Sequence, residues 1–204
     1  NGFSGVAIFD SAGTIVGGSS PSQRNVISGN TMHGVLAGGS GTTIAGNHIG
    51  TDASGTQSLG NVAGGVKIDG AAGVTTIGGV GQGNVIGGNA QGIVTQSLAA
   101  GGSVLILGNW IGTDISRNRD LGNIGAGIEA SSGTIVGGVS AGQRNVIQAN
   151  ATGVHVAGAG SLVTIRGNSI HDNSGLGIDL DDTFSTPTVS SAVAGAETVV
   201  SGTL

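Results

Sequence analysis

The chain repeats the triplet Asn-x-Ile six times: Asn25-Val26-Ile27, Asn47-His48-Ile49, Asn84-Val85-Ile86, Asn109-Trp110-Ile111, Asn145-Val146-Ile147 and Asn168-Ser169-Ile170. A second Asn follows five residues later, at Asn30, Asn89, Asn150 and Asn173, or fourteen later, at Asn61 and Asn123. Three or four residues beyond it comes a Gly followed by a β-branched residue. Polar and apolar marks in a fixed order, recurring every few tens of residues, belong to a solenoid, in which each unit buries its apolar side only against its neighbours.

The Gly marks fall at Gly5, Gly34, Gly65, Gly92, Gly127, Gly153 and Gly177, giving steps of 29, 31, 27, 35, 26 and 24 residues. Each unit carries three short apolar segments. The first holds Val6, Val35, Val66, Ile93, Ile128, Val154 and Ile178, and the second centres on Ile15, Ile44, Ile77, Ile106, Ile135 and Ile165. The third is Asn-x-Ile itself. All three are too short for helices and are bounded by Gly, Asn and Ser, which makes them strands between tight turns.

Three strands per unit predict an all-β fold, a right-handed parallel β-helix of six to seven coils over residues 1–182. The hand follows from the rule for parallel crossovers. Inward Ile and Val then stack as aliphatic files. Asn25, Asn47, Asn84, Asn109, Asn145 and Asn168 are expected to turn inward as a hydrogen-bonded ladder, because buried polar groups need partners. The middle residue of each triplet is expected to face out. Short units with Ile-x-Gly-Gly alternate with units bearing Gly-Asn-x-Ile-Gly-Thr-Asp and a longer loop. The super-repeat is 60 to 62 residues, from Gly5 to Gly65 to Gly127.

Composition narrows the function classes. Forty-four glycines alone would allow low complexity, but ordered Ile and Val periodicity does not belong to a disordered chain. The net charge is −5, and the six Lys and Arg are scattered, leaving no basic stripe for nucleic acid. No apolar run approaches the roughly 20 residues of a membrane span. The absence of Cys excludes a disulfide framework and a thiolate metal site. No basic and apolar leader opens the chain, and Asn1 to Gly5 repeats the Asn30 to Gly34 spacing, so part of a coil is expected upstream.

The segments Gly-Asn-His-Ile-Gly-Thr-Asp-Ala-Ser-Gly, Gln-Arg-Asn-Val-Ile and Ile-His-Asp-Asn-Ser-Gly-Leu-Gly-Ile-Asp-Leu resemble those of bacterial secreted right-handed parallel β-helix repeat proteins with a pectate-lyase-like fold. The resemblance covers about residues 1–182. It implies an extracellular or cell-surface location and carries no particular activity. The tail, residues 183–204, resembles the opening strands of a following β-sandwich module and is expected to be strand-like, capping the last coil or lying against its side.

Candidate sites come from outward positions. The first-segment row reads Ala7, Leu36, Lys67, Val94, Glu129, His155 and Asp179, which stacks Glu129, His155 and Asp179 with the carboxylates about 10 Å apart. Such a pair suits acid–base hydrolysis of a glycan, and the resemblance places polysaccharide chemistry on this face. The same three side chains could equally bind a metal through oxygen and imidazole ligands, and the plainer alternative is a row of ordinary solvated charges. Lys67 is alone on this face, and Arg24, Arg117, Arg119, Arg144 and Arg166 fall at other corners, which argues against lyase chemistry.

Asp114, Asn118 and Asp120 in the second long loop offer oxygen ligands for Ca²⁺, although an Asx-turn explains Asp114 equally well. Trp110 is the sole Trp, and with Lys67 it is a candidate carbohydrate contact, the equal alternative for Trp110 being that the long loop folds over it. Thr14, Thr43, Thr76, Leu105, Thr134 and Thr164 form an outward row of the kind an ice-binding face would need, or simply good strand residues. The expected function is thus a structural or adhesive segment that contacts extracellular polysaccharide or like subunits, including end-to-end association. Its rivals are a polysaccharide-active enzyme and an ice-binding protein. No cofactor is required.

Overall fold

The computed structural model describes residues 1–158 and 162–181 in full, and the backbone of 188–193 and 199–203. The chain is an all-β parallel solenoid of three sheets. The first holds β1 (Val6–Ile8), β4 (His33–Ala37), β7 (Gly64–Asp69), β10 (Ile93–Gln96), β13 (Ala126–Ala130), β16 (Thr152–Val156) and β19 (Ile178–Leu180). The second holds β2 (Ile15–Gly17), β5 (Thr43–Ala45), β8 (Val74–Gly78), β11 (Ser103–Leu107), β14 (Thr134–Val136) and β17 (Thr164–Ile165). The third holds β3 (Val26–Ile27), β6 (His48–Ile49), β9 (Val85–Ile86), β12 (Trp110–Ile111), β15 (Val146–Ile147) and β18 (Ser169–Ile170). Each turn contributes one strand to each sheet, giving six three-strand turns and the first strand of a seventh. Among the described residues the one helical element is a 3₁₀ turn, Pro21–Gln23, whose Ser20 and Gln23 side chains close a capping box.

The core is a set of aliphatic files along the axis. In the first sheet Val35, Val66, Ile93, Ile128 and Val154 are fully buried and in mutual register. In the third, Ile49, Ile86, Ile111 and Ile147 are likewise. Each fully buried Ile or Val contributes about 1.5–3 kcal/mol relative to exposure.

The second sheet corrects the expected file. Ile15 pairs with Thr43 and is 69% exposed, whereas Val16 pairs with Ile44 and is buried. Likewise Ile135 pairs with Leu105 while Val136 pairs with Ile106 and is fully buried. The inward file is therefore Val16, Ile44, Ile77, Ile106, Val136 and Ile165. A following glycine sets this register. Gly17, Gly78 and Gly137 all have left-handed φ, at +89°, +86° and +78°, and the residue before each is the one turned in.

The Thr row changes with it. The outward file is Ile15, Thr43, Thr76, Leu105, Ile135 and Thr164, so three aliphatic residues interrupt it. Thr134 instead lies in the interior, where its hydroxyl meets that of Thr95 at 2.8 Å.

Two asparagine ladders run the length of the solenoid. In one, the side-chain amides of Asn25, Asn47, Asn84, Asn109 and Asn145 each donate to Oδ1 of the next Asn, ending at Asn168, over 2.8–3.1 Å. In the other, Asn1, Asn30, Asn61, Asn89, Asn123 and Asn150 do the same, ending at Asn173. Asn84 shows the full pattern. Its Oδ1 accepts from Asn47 N–H and Nδ2, while its own Nδ2 donates to Asn109 Oδ1 and to the Ile44 carbonyl. All four bonds available to a side-chain amide are made, so its complete burial leaves nothing unpaired.

The tail forms a two-stranded antiparallel pair, β20 (Thr188–Val193) with β21 (Val199–Thr203). The cap and sandwich expectations for residues 183–204 otherwise fall on residues outside those described. Among the described residues, no helix is long and apolar enough to cross a membrane.

Candidate functional site

The register places Glu129 opposite His155 and His155 opposite Asp179 on the first sheet, all half-buried. No hydrogen bond or ion pair joins the three among the described residues, so no side chain there orients another for proton transfer. Lys67, on the same face, pairs with Asp69 at 3.6 Å, and Gln96 donates to the same Asp69 oxygen. Lys67 and Trp110 belong to different sheets and do not form one site.

The two long loops share one design. Asp52 Oδ2 accepts from Ser54 and its Oδ1 from Thr56 and Gln57 N–H; Asp114 Oδ2 accepts from Ser116 and its Oδ1 from Asn118 and Arg119 N–H. These bonds, led by Ser54, hold Asp52 down at about 2. At Asp114 burial pushes the pKa up, yet the combined donors, Ser116 foremost, leave it lowered. Both carboxylates are occupied in closing their own loops. Asp114, Asn118 and Asp120 therefore share a loop in which Asp114 already has its partners. No group of three His, Asp or Glu able to hold a metal exists among the described residues.

The loops fold over the third sheet, and this alters the expected outward row. Of Val26, His48, Val85, Trp110, Val146 and Ser169, the residues His48, Val85 and Val146 are buried, and Trp110 is half-buried. Three of the six middle residues are thus buried although they are turned away from the core, while Val26 stays 44% exposed. Burial, with the nearby Arg24 charge, lowers the His48 pKa.

His48 and Trp110 occupy equivalent positions in the two long-loop coils, and their surroundings diverge. Over His48 lies Gly55, where a Cβ would stand 2.7 Å from the imidazole Cε1. The equivalent residue near Trp110 is Arg117, at φ +61° against +70° for Gly55. The residue preceding each ladder Asn also matters. It is Arg24 in the first coil and Arg144 in the fifth, but Gly83 in the third, where a Cβ would fall 2.7 Å from Trp110 Cζ3. Gly83 makes room for the indole.

The result is a cleft of about 620 Å³ beside Trp110, walled by Gly83, Gly108, Gly138 and Gly142 and bordered by Arg117 and Arg144. A smaller cleft of about 160 Å³ lies on the other side of the indole, bordered by Pro21, Arg24, Gln82 and Ile115. Arg24 and Arg144 are fixed alike: each Nε donates to the carbonyl of the glycine before the next ladder Asn, Gly46 or Gly167, at 3.2 Å. The indole can stack on a ring, and the guanidinium ends left by those Nε bonds can bind an acid or hydroxyl. Sequence reasoning singled out Trp110 but set Arg24, Arg117 and Arg144 aside. Superposing the long loops on Asp52 and Asp114, and reading the residue before each ladder Asn, brings them forward. The chain matches no protein-family model, no curated protein and no solved structure.

Proposed function

We propose that the chain is a structural, adhesive segment of a secreted or cell-surface protein, a stiff β-solenoid that contacts carbohydrate at the Trp110 corner. One observation carries this reading: a half-exposed indole stands between two clefts with glycine in their walls, held on a strand whose neighbours are fixed by buried ladders. Flat apolar rings with backbone polar groups beside them suit the faces and hydroxyls of sugars. The rigid support lowers the ordering cost of binding.

The test is retention on insoluble polysaccharides and a glycan array, comparing the native chain with Trp110→Ala. Binding that disappears in Trp110→Ala supports the reading; binding unchanged by it, or absent throughout, removes it. Release of reducing ends by the native chain, abolished in Glu129→Gln, would instead favour an enzyme on the first-sheet face.

A further inference from the structure

We propose that the ligand of the Trp110 corner is an acidic polysaccharide, lying along the solenoid axis with its carboxylate or sulfate groups on Arg117 and Arg144 and extending toward Arg24. This rests on the carbohydrate reading above and names the class of glycan.

Charge is the first argument. The chain has only six Lys and Arg and a net charge of −5, yet three of the six border these two clefts, and no Asp or Glu lines either. The ion pairs among the described residues are Lys67–Asp69 and His171–Asp172, so none of the three arginines is neutralised by a carboxylate there. The nearby loop carboxylate, Asp114, is buried with both oxygens already accepting. An acidic protein that gathers half its cations around one ring offers a local field opposite to its net charge.

The second argument is the contrast between sister coils. In the His48 coil the loop closes with Gly55 and the ring is buried. In the Trp110 coil that position is Arg117, held in a left-handed conformation that is strained for a non-glycine residue. Ala53 is replaced by Ile115, and the ring is larger and half-exposed. Each of the three changes adds ligand-facing surface, and one of them costs stability.

Length is the third. Arg24 lies in the first coil and Arg144 in the fifth, so four coil spacings separate them along the axis, about 19 Å. Both clefts share Gly81, Gly83 and Trp110. A single small anion has no use for a track of that length, whereas a linear polymer carrying one acid per sugar does.

Calorimetry on the full chain decides this, using oligogalacturonate, a neutral cello-oligosaccharide and oligothymidylate, each at low and high salt. The expectation is saturable oligogalacturonate binding, weakened by salt and reduced about tenfold by Arg144→Gln or Arg117→Gln, with Lys67→Gln unaffected as the control on another face. Arg117→Gly, which restores the sister loop's residue, guards against a folding artefact and should lose the same affinity. Equal binding of the neutral sugar that ignores the arginine changes overturns the acidic assignment and leaves the carbohydrate reading standing. Binding of no sugar overturns both. Oligothymidylate binding as tight as oligogalacturonate replaces the assignment with a nucleic-acid strand.

Discussion

Gly55 and Arg117 hold the same left-handed loop position, at φ +70° and +61°, over His48 and Trp110 respectively. A conformation that costs glycine nothing is strained in arginine by about 1–2 kcal/mol. Arg117→Gly should therefore raise stability by about 1 kcal/mol in urea unfolding while weakening acidic-glycan binding. The converse change, Gly55→Ala, puts a Cβ 2.7 Å from the His48 ring and should destabilise. If Arg117→Gly is neutral or destabilising, the residue is supported by contacts that make the strain argument wrong.

The asparagine ladders predict a strong dependence on position. At Asn84→Ala, Asn47 loses the acceptor for both its N–H and its amide, while Asn109 Oδ1 and the Ile44 carbonyl each lose the Asn84 amide donor, Asn109 keeping only the backbone N–H of residue 84. With each buried orphan costing about 1–3 kcal/mol, the loss should reach about 3 kcal/mol or more. Asn84→Asp should be worse, since it buries a carboxylate whose second oxygen would face two acceptors, Asn109 Oδ1 and the Ile44 carbonyl. Asn168 likewise accepts from the Asn145 N–H and amide, but at the half-buried end of its ladder, where water can replace its oxygen. No further Asn depends on its amide, so Asn168→Ala should cost about 1 kcal/mol. Equal losses at Asn84 and Asn168 would contradict a ladder whose bonds act together.

The register of the second sheet is tested by a neighbouring pair. Val136→Ala removes two buried methyls and should cost about 2 kcal/mol, whereas Ile135→Ala, on the outer face, should cost less than about 1 kcal/mol. The reverse order would restore Ile135 to the core.

Acid should open the first long loop in a defined window. The Asp52 carboxyl falls from the ordinary 3.8 to about 2 because Ser54 and the Thr56 N–H donate to its charged form. A depressed carboxyl stabilises the folded loop fully above its unfolded pKa, and that contribution disappears as pH falls through about 2. Carbon-detected NMR should show the Asp52 midpoint near 2, moving upward in Ser54→Ala. A midpoint at the ordinary value would remove the hydrogen-bonded loop.

The first and third sheets were legible because their marks, Gly-β-branched and Asn-x-Ile, each hold one residue in a fixed relation to a turn. The second sheet misled at Ile15-Val16 and Ile135-Val136, where two β-branched residues adjoin and hydrophobicity cannot say which turns in. The left-handed glycine that follows can. The covering of His48, Val85 and Val146 was invisible for another reason: which loop folds over a strand depends on contacts between coils, not on local pattern. For the same reason Trp110 stood out by rarity, while Arg24, Gly83, Arg117 and Arg144 acquire meaning only when the coils are stacked around it.

The presence of a single Trp turns the central claim into a direct optical measurement. Titrating the native chain with oligogalacturonate while recording intrinsic fluorescence should give a saturable change in intensity or wavelength, which moves to higher ligand concentration in Arg144→Gln and at raised salt. A flat titration, or a saturable one that neither salt nor Arg144→Gln displaces, would contradict an acidic glycan stacked on Trp110.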